Sequence, residues 1–323
     1  MIAGYITATT TDLARVKIHN GRPQLYSQAR YVNRDFSNFG SILSLYLRNA
    51  KGRMDVLCLG VAGPVINNRV SATNIPWQID GPEIEKEYEL DRVAVVNDIY
   101  ATAFGLFQLS DEKFFTINKG KQVEYGNMGL IAAGHGLGEA LIYFDGERYC
   151  PYASEGGHVD FAPGNQLETE LWEYLYSGQG YVETEDVVSL AGLESTFEFM
   201  LAANRATKPD WMKKAKDRPA KIIEKALAGS DDIAVKAFDM FVDCYASEAA
   251  NLALKGMTVG GIFLGGLIAP QIMTVLDKGR FMERFVKKGK MGSLLADMPV
   301  GLIIEDRTAL LGAASIAMEM VSE

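Results

Sequence analysis

The chain has 323 residues, which is the length of roughly two domains of common size. With 48% hydrophobic and 23% charged residues, its composition is typical of a folded globular protein. Its 41 acidic and 32 basic residues give a formal net charge of −9, which argues against general binding to nucleic acids or anionic membranes. No apolar run reaches the roughly 20 residues that span a bilayer, and neither a signal peptide nor a disulfide framework is recognisable. We therefore expect a cytoplasmic protein.

The first part of the sequence predicts three short strands followed by alternating helices and strands. In chain order these are strands 2–8, 13–19 and 24–32, helix 36–47, strand 55–62, helix 82–90, strand 93–96 and helix 99–109. His19-Asn20-Gly21 has the composition of a hairpin turn. Segment 55–62 is apolar nearly throughout, which is typical of a strand buried on both faces. The alternation predicts a sheet with parallel members that is covered by helices.

A second unit is predicted to begin near Ser110. Its predicted elements are strand 128–133, a hairpin of 139–144 and 147–151, helices 167–176, 193–206 and 231–255, strands within 260–268 and 300–304, and helix 308–320. Ser230 and Gly256 are the predicted N-cap and C-terminal glycine of the helix 231–255. The basic run 213–218 is predicted to be a solvated helix end.

Asn97 and Asp98 follow the buried strand 93–96, at the sheet edge where open α/β proteins bind ligands. A carboxylate there can accept the proton of a hydroxyl nucleophile that lies within hydrogen-bonding reach. The same two residues also suit the N-cap of the helix that begins at Ile99. The residues themselves leave both interpretations open.

Segment 154–161 places Glu155 and His158 on either side of two glycines, in a chain with only three histidines. The glycines permit a sharp backbone turn, so that the carboxylate and the imidazole can face one ligand. Together they can accept from and donate to the hydroxyl groups of a sugar. A surface turn with an inert histidine explains the segment equally well.

Two further segments are rich in glycine. Segment 133–138, with the sequence AGHGLG, follows a predicted strand, and its backbone N–H groups can close around an anion. It lacks the Lys-Ser/Thr ending of a P-loop. Segment 260–267, GGIFLGGL, suits a flat ligand lying on the backbone. A structural turn explains either segment equally well.

Taken together and in order, these segments resemble the bacterial glucokinases, a family within the hexokinase–actin superfamily of sugar kinases. The similarity extends over nearly the whole chain and is most specific in segment 155–163, EGGHVDFAP. The other matching strings are Ala62-Gly63-Pro64, Thr73-Asn74-Ile75-Pro76-Trp77, Asn97-Asp98, segment 260–266 and Leu310-Leu311-Gly312-Ala313.

The resemblance implies an α/β protein with two ribonuclease-H-like domains, of the actin/hexokinase type, that flank a substrate cleft. The smaller domain would comprise residues 1–109 and 307–323, and the larger domain residues 110–306. The implied reaction transfers the γ-phosphate of ATP, with Mg²⁺, to the 6-hydroxyl of glucose or a similar hexose. Members of the family are commonly homodimers, so we expect a homodimer.

The resemblance also implies roles for individual residues. Asp98 matches the catalytic base that faces the sugar 6-hydroxyl. The matching substrate-binding residues are Asn97, Asp98, Glu155, His158 and Glu185. The matching nucleotide-binding residues are Thr9, Gly134, His135, Gly136, Gly138, Gly265 and Gly266. No residue is implied as the ligand of a permanently bound metal ion.

The nucleotide side departs from the family pattern. The family opens with an Asp-x-Gly-Gly-Thr loop that holds phosphate and, through its Asp, the magnesium. Here Tyr5 replaces the Asp, Thr7 and Ala8 replace the glycine pair, and only Thr9 agrees. His135 and Leu267 replace a threonine and a glycine. A lost carboxylate weakens Mg²⁺ placement, and added Cβ atoms hinder the approach of phosphate to the backbone.

Three functions therefore compete. The first is an ATP-dependent hexose kinase, the second a non-catalytic, regulatory sugar-binding relative, and the third a sugar kinase with another phosphoryl donor. Asp98 favours the first, because a protein that only binds sugar needs no base. The altered loop favours the second.

Overall fold

The structure, a computed structural model, describes residues 1–50, 54–71, 77–276 and 279–322. The strands are β1 (Ile2–Ile6), β2 (Thr10–His19), β3 (Arg22–Val32), β4 (Val56–Val61), β5 (Val65–Ile66), β6 (Arg69–Ser71), β7 (Gln78–Asp80), β8 (Arg92–Asn97), β9 (Phe114–Asn118), β10 (Met128–Ala133), β11 (Leu137–Phe144), β12 (Tyr149–Ser154), β13 (Gly261–Gly265) and β14 (Val300–Ile303). The α-helices are α1 (Phe39–Asn49), α2 (Gly81–Tyr88), α3 (Asp98–Leu106), α4 (Gln166–Gln179), α5 (Leu190–Ala203), α6 (Asp210–Lys214), α7 (Arg218–Leu227), α8 (Asp232–Gly256), α9 (Ala269–Leu276), α10 (Arg280–Phe285), α11 (Gly292–Asp297) and α12 (Thr308–Ser322).

The chain divides into two compact units. The first, here called the N-terminal unit, comprises Met1–Lys113, Pro151–Ala153 and Glu305–Glu323. The second, here called the central unit, comprises Phe114–Cys150 and Ser154–Ile304. Helix α12, the last in the chain, therefore groups with the N-terminal unit.

The N-terminal unit is built on a five-stranded sheet with the order β3-β2-β1-β4-β8. Strands β1, β2 and β3 pair antiparallel, whereas β1, β4 and β8 run parallel. Every residue of β4 is buried, which confirms the strand predicted to be covered on both faces. Apolar residues of α1 and α2 form one core with the sheet, and α3 and α12 contribute to a second core.

The central unit contains a six-stranded sheet with the order β12-β11-β10-β13-β14-β9. Strands β10, β13 and β14 run parallel, and β11 pairs antiparallel with β10. Helix α8 supplies much of the unit's core, including Phe241 and Tyr245. The buried Tyr245 hydroxyl donates a hydrogen bond to the Ile131 carbonyl at 3.1 Å, which ties α8 to β10.

Several local predictions are confirmed. Asn20 and Gly21 both have positive φ values, 51° and 73°, as a tight hairpin turn with right-handed twist requires. Asp145 Oδ1 accepts hydrogen bonds from the amides of Glu147 and Arg148, both at 2.8 Å, and closes the β11–β12 hairpin. The basic run lies on exposed residues at the end of α6 and the start of α7, as expected for solvated helix ends.

Other predictions are wrong in detail. Asp231, not Ser230, caps α8, because its Oδ1 accepts hydrogen bonds from the amides of Ile233 and Ala234. The left-handed residue that ends this helix is Met257, with φ of 47°, rather than Gly256. The small sheet of β5, β6 and β7 was not predicted from the sequence, and neither were β9, α6, α7, α9, α10 and α11. The matching residues 73–76 lie outside the described residues.

Candidate active site

The parallel strands β1, β4 and β8 of the N-terminal unit end at one edge of its sheet. The chain continues from these ends into three of the segments singled out in the sequence: residues 7–9, residues 62–64, and Asn97 with Asp98. The carboxyl edge of parallel strands is where α/β sheets bind ligands. The topology therefore brings the predicted base to the same sheet edge as the altered loop.

Asn97 links two of these strand ends and also caps a helix. Its Nδ2 donates to the Gly63 carbonyl at 3.0 Å, and its Oδ1 accepts from the amides of Ile99 and Tyr100 at 3.0 and 3.3 Å. The half-buried Asp98 carboxylate accepts from the Ile99 amide at 2.9 Å. The capping interpretation is therefore correct. It is compatible with a binding role, because both side chains stay at the carboxyl edge.

Tyr5 lies on β1 directly opposite Asp12 of β2. Burial raises the pKa of its phenol, and the nearby carboxylates of Asp98 and Asp12 raise it further. The Tyr5 hydroxyl therefore stays protonated and neutral. It cannot supply the anionic oxygen that a carboxylate would offer to a divalent cation at this position.

The Thr7 side chain closes the loop of residues 7–9 by hydrogen bonding to the backbone of the residues that follow it. Thr7 Oγ1 accepts hydrogen bonds from the amides of Thr10 at 2.9 Å and Thr9 at 3.3 Å. Asn33 braces the loop from outside, because its Nδ2 donates to the Thr7 carbonyl at 2.8 Å and its own amide donates to the Thr9 carbonyl at 2.9 Å. Two amides that could face a phosphate are thus already satisfied within the loop.

In the central unit too, predicted binding segments lie at the carboxyl ends of parallel strands. Residues 134–138 follow β10 and are here called the turn 134–138: residues 134–136 form the bend, and Leu137 and Gly138 are the first two residues of β11. Gly266 and Leu267 follow β13, the parallel neighbour of β10. A backbone hydrogen bond joins the two turns, because the Ile268 amide donates to the Ala133 carbonyl at 3.2 Å. A second one joins the first turn to the start of α5, because the Leu190 amide donates to the Gly134 carbonyl at 2.8 Å. His135 is exposed on the first turn, and Leu267 is exposed on the second.

Residues Gly156–His158 form a single 3₁₀ turn that carries His158 into a group of carboxylates. His158 Nδ1 lies 3.1 Å from Glu183 Oε2, and Nε2 lies 3.9 Å from Glu155 Oε2. Burial lowers the pKa of His158, but the hydrogen bond to Glu183 and the charges of Glu185, Glu183 and Glu155 outweigh burial, so the pKa is raised overall. The cluster favours a protonated imidazole with carboxylate acceptors around it.

Glu185 joins this group to the glycine turn. Its Oε2 accepts a hydrogen bond from the Leu137 amide at 2.7 Å. The turn at 156–158 packs on the same place, because a Cβ atom at Gly157 would lie 2.2 Å from the Leu137 carbonyl oxygen. Only glycine permits this approach. The first residue of β11 is therefore a common support for the predicted sugar-binding residues and the predicted phosphate turn.

The structure thus collects the predicted residues into one group in each unit. Glu155, His158 and Glu185 meet beside the turn 134–138 in the central unit. Asn97, Asp98 and Thr9 lie at or beside strand ends in the N-terminal unit. Glu183 was not predicted from the sequence, although its place two residues before Glu185, in a Glu-x-Glu string, was a signal.

Within the described ranges, no group of three or more His, Cys, Asp or Glu side chains has the arrangement of a metal site. In the same ranges, no helix combines the length and apolar character needed to cross a bilayer.

The chain is similar in sequence and in fold to known glucokinases. The chain matches a family model described as Glucokinase over residues 2–320. A glucokinase of Nostoc sp. is 33% identical, with 99% of each chain covered. A crystal structure of a glucokinase from an Antarctic psychrotroph aligns with a TM-score of 0.84 and 27% identity, covering 98% of both chains.

A more distant structure has the same fold. It is a ROK family glucokinase from Streptomyces griseus in complex with glucose and AMPPNP. It aligns with a TM-score of 0.66 at 18% identity, and 98% of this chain and 99% of that chain are covered. These matches confirm the α/β, actin/hexokinase-like fold class and the family resemblance predicted from the sequence.

Proposed function

The chain belongs to the glucokinase family, and from this premise we propose that it transfers the γ-phosphate of ATP to the 6-hydroxyl of glucose. Membership supports a sugar kinase as the general class. The observation that carries the proposal is the grouping of Glu155, His158 and Glu185 against the turn 134–138. This grouping offers acceptors and a charged donor side by side, which suits a ligand rich in hydroxyl groups.

In this proposal the hexose is held by Asn97, Asp98, Glu155, His158 and Glu185. The carboxylates accept hydrogen bonds from sugar hydroxyls, and the protonated His158 and the Asn97 amide donate. Asp98 faces the 6-hydroxyl as the base. A carboxylate is a weak base toward an alcohol, so Asp98 contributes more by orienting the nucleophile than by removing its proton early.

ATP enters this proposal as a substrate together with Mg²⁺. Its phosphates would lie near Thr9 and the turn residues Gly134, His135, Gly136 and Gly138, and its nucleoside near Gly265 and Gly266. Phosphoryl transfer depends on positioning and on neutralising charge around the γ-phosphate. Because Tyr5 is neutral and Thr7 satisfies two loop amides, we expect the N-terminal loop to contribute little to that neutralisation.

The same loop supports a second candidate, a regulatory protein that binds the hexose without turnover. Its specific support is the self-closed loop at Thr7 and the absence of a carboxylate at residue 5. A third candidate is a hexose kinase whose phosphoryl donor is not ATP. The exposed His135 is its support, because it stands where the family has a threonine and so changes the side chain that the glycine turn offers to a phosphoryl donor.

Two measurements separate these functions. Calorimetry with glucose tests binding, and a coupled assay tests glucose-dependent ADP formation from Mg-ATP. Turnover that is lost in Asp98→Asn while glucose binding survives would support the kinase. Binding without turnover from ATP, GTP or polyphosphate would support the regulatory function, and turnover with another donor alone would support the third. Absence of glucose binding would contradict all three unless another hexose binds.

The proposal includes a homodimer in the cytoplasm with a role in glycolysis. The homodimer follows only from the resemblance, and analytical ultracentrifugation tests it. The cytoplasmic location is supported by the free state of Cys58, Cys150 and Cys244.

A further inference from the structure

Glu139 lies directly beneath the turn that carries Glu155 and His158. The residue is on β11 and only 2% of it is exposed. A Cβ atom at Gly156 would lie 2.1 Å from Glu139 Oε2, so the carboxyl group occupies the space that glycine leaves open. A movement of this carboxyl group would therefore displace Gly156, which lies between the predicted sugar-binding residues Glu155 and His158.

The Ser154 side chain also connects Glu139 to the turn that contains Gly156. Ser154 Oγ donates to the Glu139 carbonyl at 3.2 Å and accepts from the Gly156 amide at 3.2 Å. Ser154 thereby bridges the strand to the turn. The turn at 156–158 rests on Glu139 through this bridge and through direct packing.

A second buried carboxyl group, that of Glu248 on α8, repels the charged form of Glu139. Glu248 is 6% exposed, and within the described ranges neither Glu139 Oε1 nor Glu248 Oε1 has a hydrogen-bond partner. Glu248 Oε2 accepts from Asn251 Nδ2 at 2.8 Å. Glu139 has no such neighbour in the described contacts, and an ionised carboxylate without a partner at this depth is costly, so burial favours the protonated form of Glu139.

The nearby positive groups are engaged by Glu248 and by its neighbours on α8. Lys255 Nζ lies 3.8 Å from Glu248 Oε1. Lys288 Nζ is engaged by Asn251 Oδ1 at 2.6 Å and Ser247 Oγ at 3.0 Å. Burial and, to a smaller extent, the charge of Glu248 raise the pKa of Glu139 to about 8, although the charge of Lys255 opposes the rise. Burial also raises the pKa of Glu248.

We propose that Glu139 is a positioning residue for hexose binding, which in its protonated state supports the Gly156–His158 turn and on ionisation displaces it. This inference rests on the proposed function, because it assigns a support to the proposed sugar site. An ionised Glu139 would place an uncompensated charge against Gly156, and moving the turn would relieve it. Hexose affinity should therefore fall as pH rises, up to the pH at which Glu139 is fully ionised in the native protein.

The sign follows from linkage. If displacement of the turn exposes Glu139, its pKa returns toward the ordinary value, and the displaced form binds fewer protons than the native form between the two values. Within that interval each pH unit favours displacement by up to about tenfold. Above the native pKa the effect reaches a plateau. His158, whose pKa is raised, also loses its charge as the pH rises, so the experiment must separate the two groups.

The test is glucose calorimetry between pH 6.5 and pH 9.5 on the wild type, Glu139→Gln and Glu147→Gln. Glutamine at 139 copies the protonated shape without ionising, and the exposed Glu147 on the β11–β12 hairpin is the matched control. We expect the wild-type Kd to rise by roughly tenfold or more. At high pH Glu139→Gln should have a lower Kd than the wild type, because only the part of the rise in Kd that is due to His158 remains. The Kd of Glu147→Gln should change with pH as that of the wild type does. Equal pH dependence in wild type and Glu139→Gln would overturn the inference.

A second readout needs no sugar. The amide resonance of Gly156 should shift with the titration of Glu139 in the wild type, and in Glu139→Gln only the part of the shift that is due to His158 should remain. Glu248→Gln, which removes the neighbouring charge, should lower the midpoint. A Gly156 resonance that ignores the titration overturns the inference. A Gly156 resonance that follows it, in a protein that binds no hexose, supports the coupling and contradicts the proposed function instead.

Discussion

Glu183 accepts a hydrogen bond from His158, with 3.1 Å between Glu183 Oε2 and His158 Nδ1. The contact orients the imidazole so that its Nε2 edge lies on the side of Glu155, 3.9 Å away. It also provides the main favourable contribution to the raised pKa of His158, against burial. Glu183 is therefore a positioning residue for the proposed hexose site.

Replacing Glu183 with glutamine should weaken glucose binding. Glutamine keeps an acceptor but removes the charge, so the pKa of His158 should fall toward its ordinary value. Stabilisation from a charged histidine is present below its unfolded pKa and is lost as pH rises through the folded pKa. At neutral pH we expect the Kd for glucose to rise by roughly three- to tenfold, with kcat little changed.

Histidine C2 proton resonances give the His158 titration directly. Glu173→Gln is the matched control, because Glu173 is an exposed carboxylate on α4 of the same unit. An unaltered His158 midpoint in Glu183→Gln would contradict the assigned role.

Restoring a carboxylate and two glycines to the N-terminal loop should raise turnover. In Tyr5→Asp/Thr7→Gly/Ala8→Gly the loop loses the Thr7 hydroxyl that occupies two amides, and the new carboxylate would offer an anionic oxygen to the Mg²⁺ that accompanies ATP. We expect kcat with Mg-ATP to rise roughly tenfold or more, with the KM for glucose unchanged.

The free energy of unfolding of this variant should fall by about 1–3 kcal/mol, because loop hydrogen bonds are lost and glycine gains freedom in the unfolded chain. Tyr5→Phe is the control, since it keeps the ring and adds no carboxylate. If turnover in the triple variant stays at the wild-type level, the loop does not limit the reaction.

Adding one methyl group at Gly157 should disrupt the proposed hexose site. The new Cβ atom would lie 2.2 Å from the Leu137 carbonyl, so the turn or β11 must move. We expect Gly157→Ala to lower the free energy of unfolding by roughly 1–3 kcal/mol and to abolish measurable glucose binding. Urea unfolding and calorimetry provide the measurements.

Gly178→Ala is the control for that substitution. Gly178 lies within α4 and has no atom within 4 Å of the position of a Cβ atom. Alanine is the better helix former, so this variant should gain up to about 1 kcal/mol. Equal losses at both positions would contradict the packing argument.

Arg284 and Glu168 form a buried ion pair in the central unit, with side chains only 9% and 1% exposed. Arg284 Nη2 lies 2.8 Å from Glu168 Oε2, which also accepts from the Gly164 amide at 2.6 Å. Arg284→Met leaves a buried carboxylate without its cation and should cost roughly 3–5 kcal/mol of unfolding free energy. The double variant Glu168→Gln/Arg284→Met should cost less, because no charge stays unpaired.

Chemical denaturation of the two single variants and the double variant gives the coupling energy. Arg218→Met is the surface control, because its pair with Glu194 is partly exposed and should contribute no more than about 1 kcal/mol. A double variant at least as unstable as Arg284→Met would show that the pair's charges do not determine the cost.

Local signals predicted most of the longer elements because their causes lie within a few residues. The apolar run that becomes β4, the Asn20–Gly21 turn and the Asp145 hairpin follow from side-chain type and backbone preference alone. The strands β5, β6 and β7 were missed because two or three residues show no periodicity. Ser230 and Asp231 are both good caps, and only the register of α8 decides between them.

The sequence by itself determined the family and the α/β class, since these depend on residue types at characteristic spacings. It also predicted which side chains bind the hydroxyl groups of a hexose, and that assignment stays a prediction. The tertiary structure alone decided which groups touch: Glu183 with His158, Glu185 with the Leu137 amide, and Glu139 beneath Gly156. The partners in each contact lie between 17 and 48 residues apart along the chain. Their encounter depends on strand register and core packing, and the local sequence specifies neither.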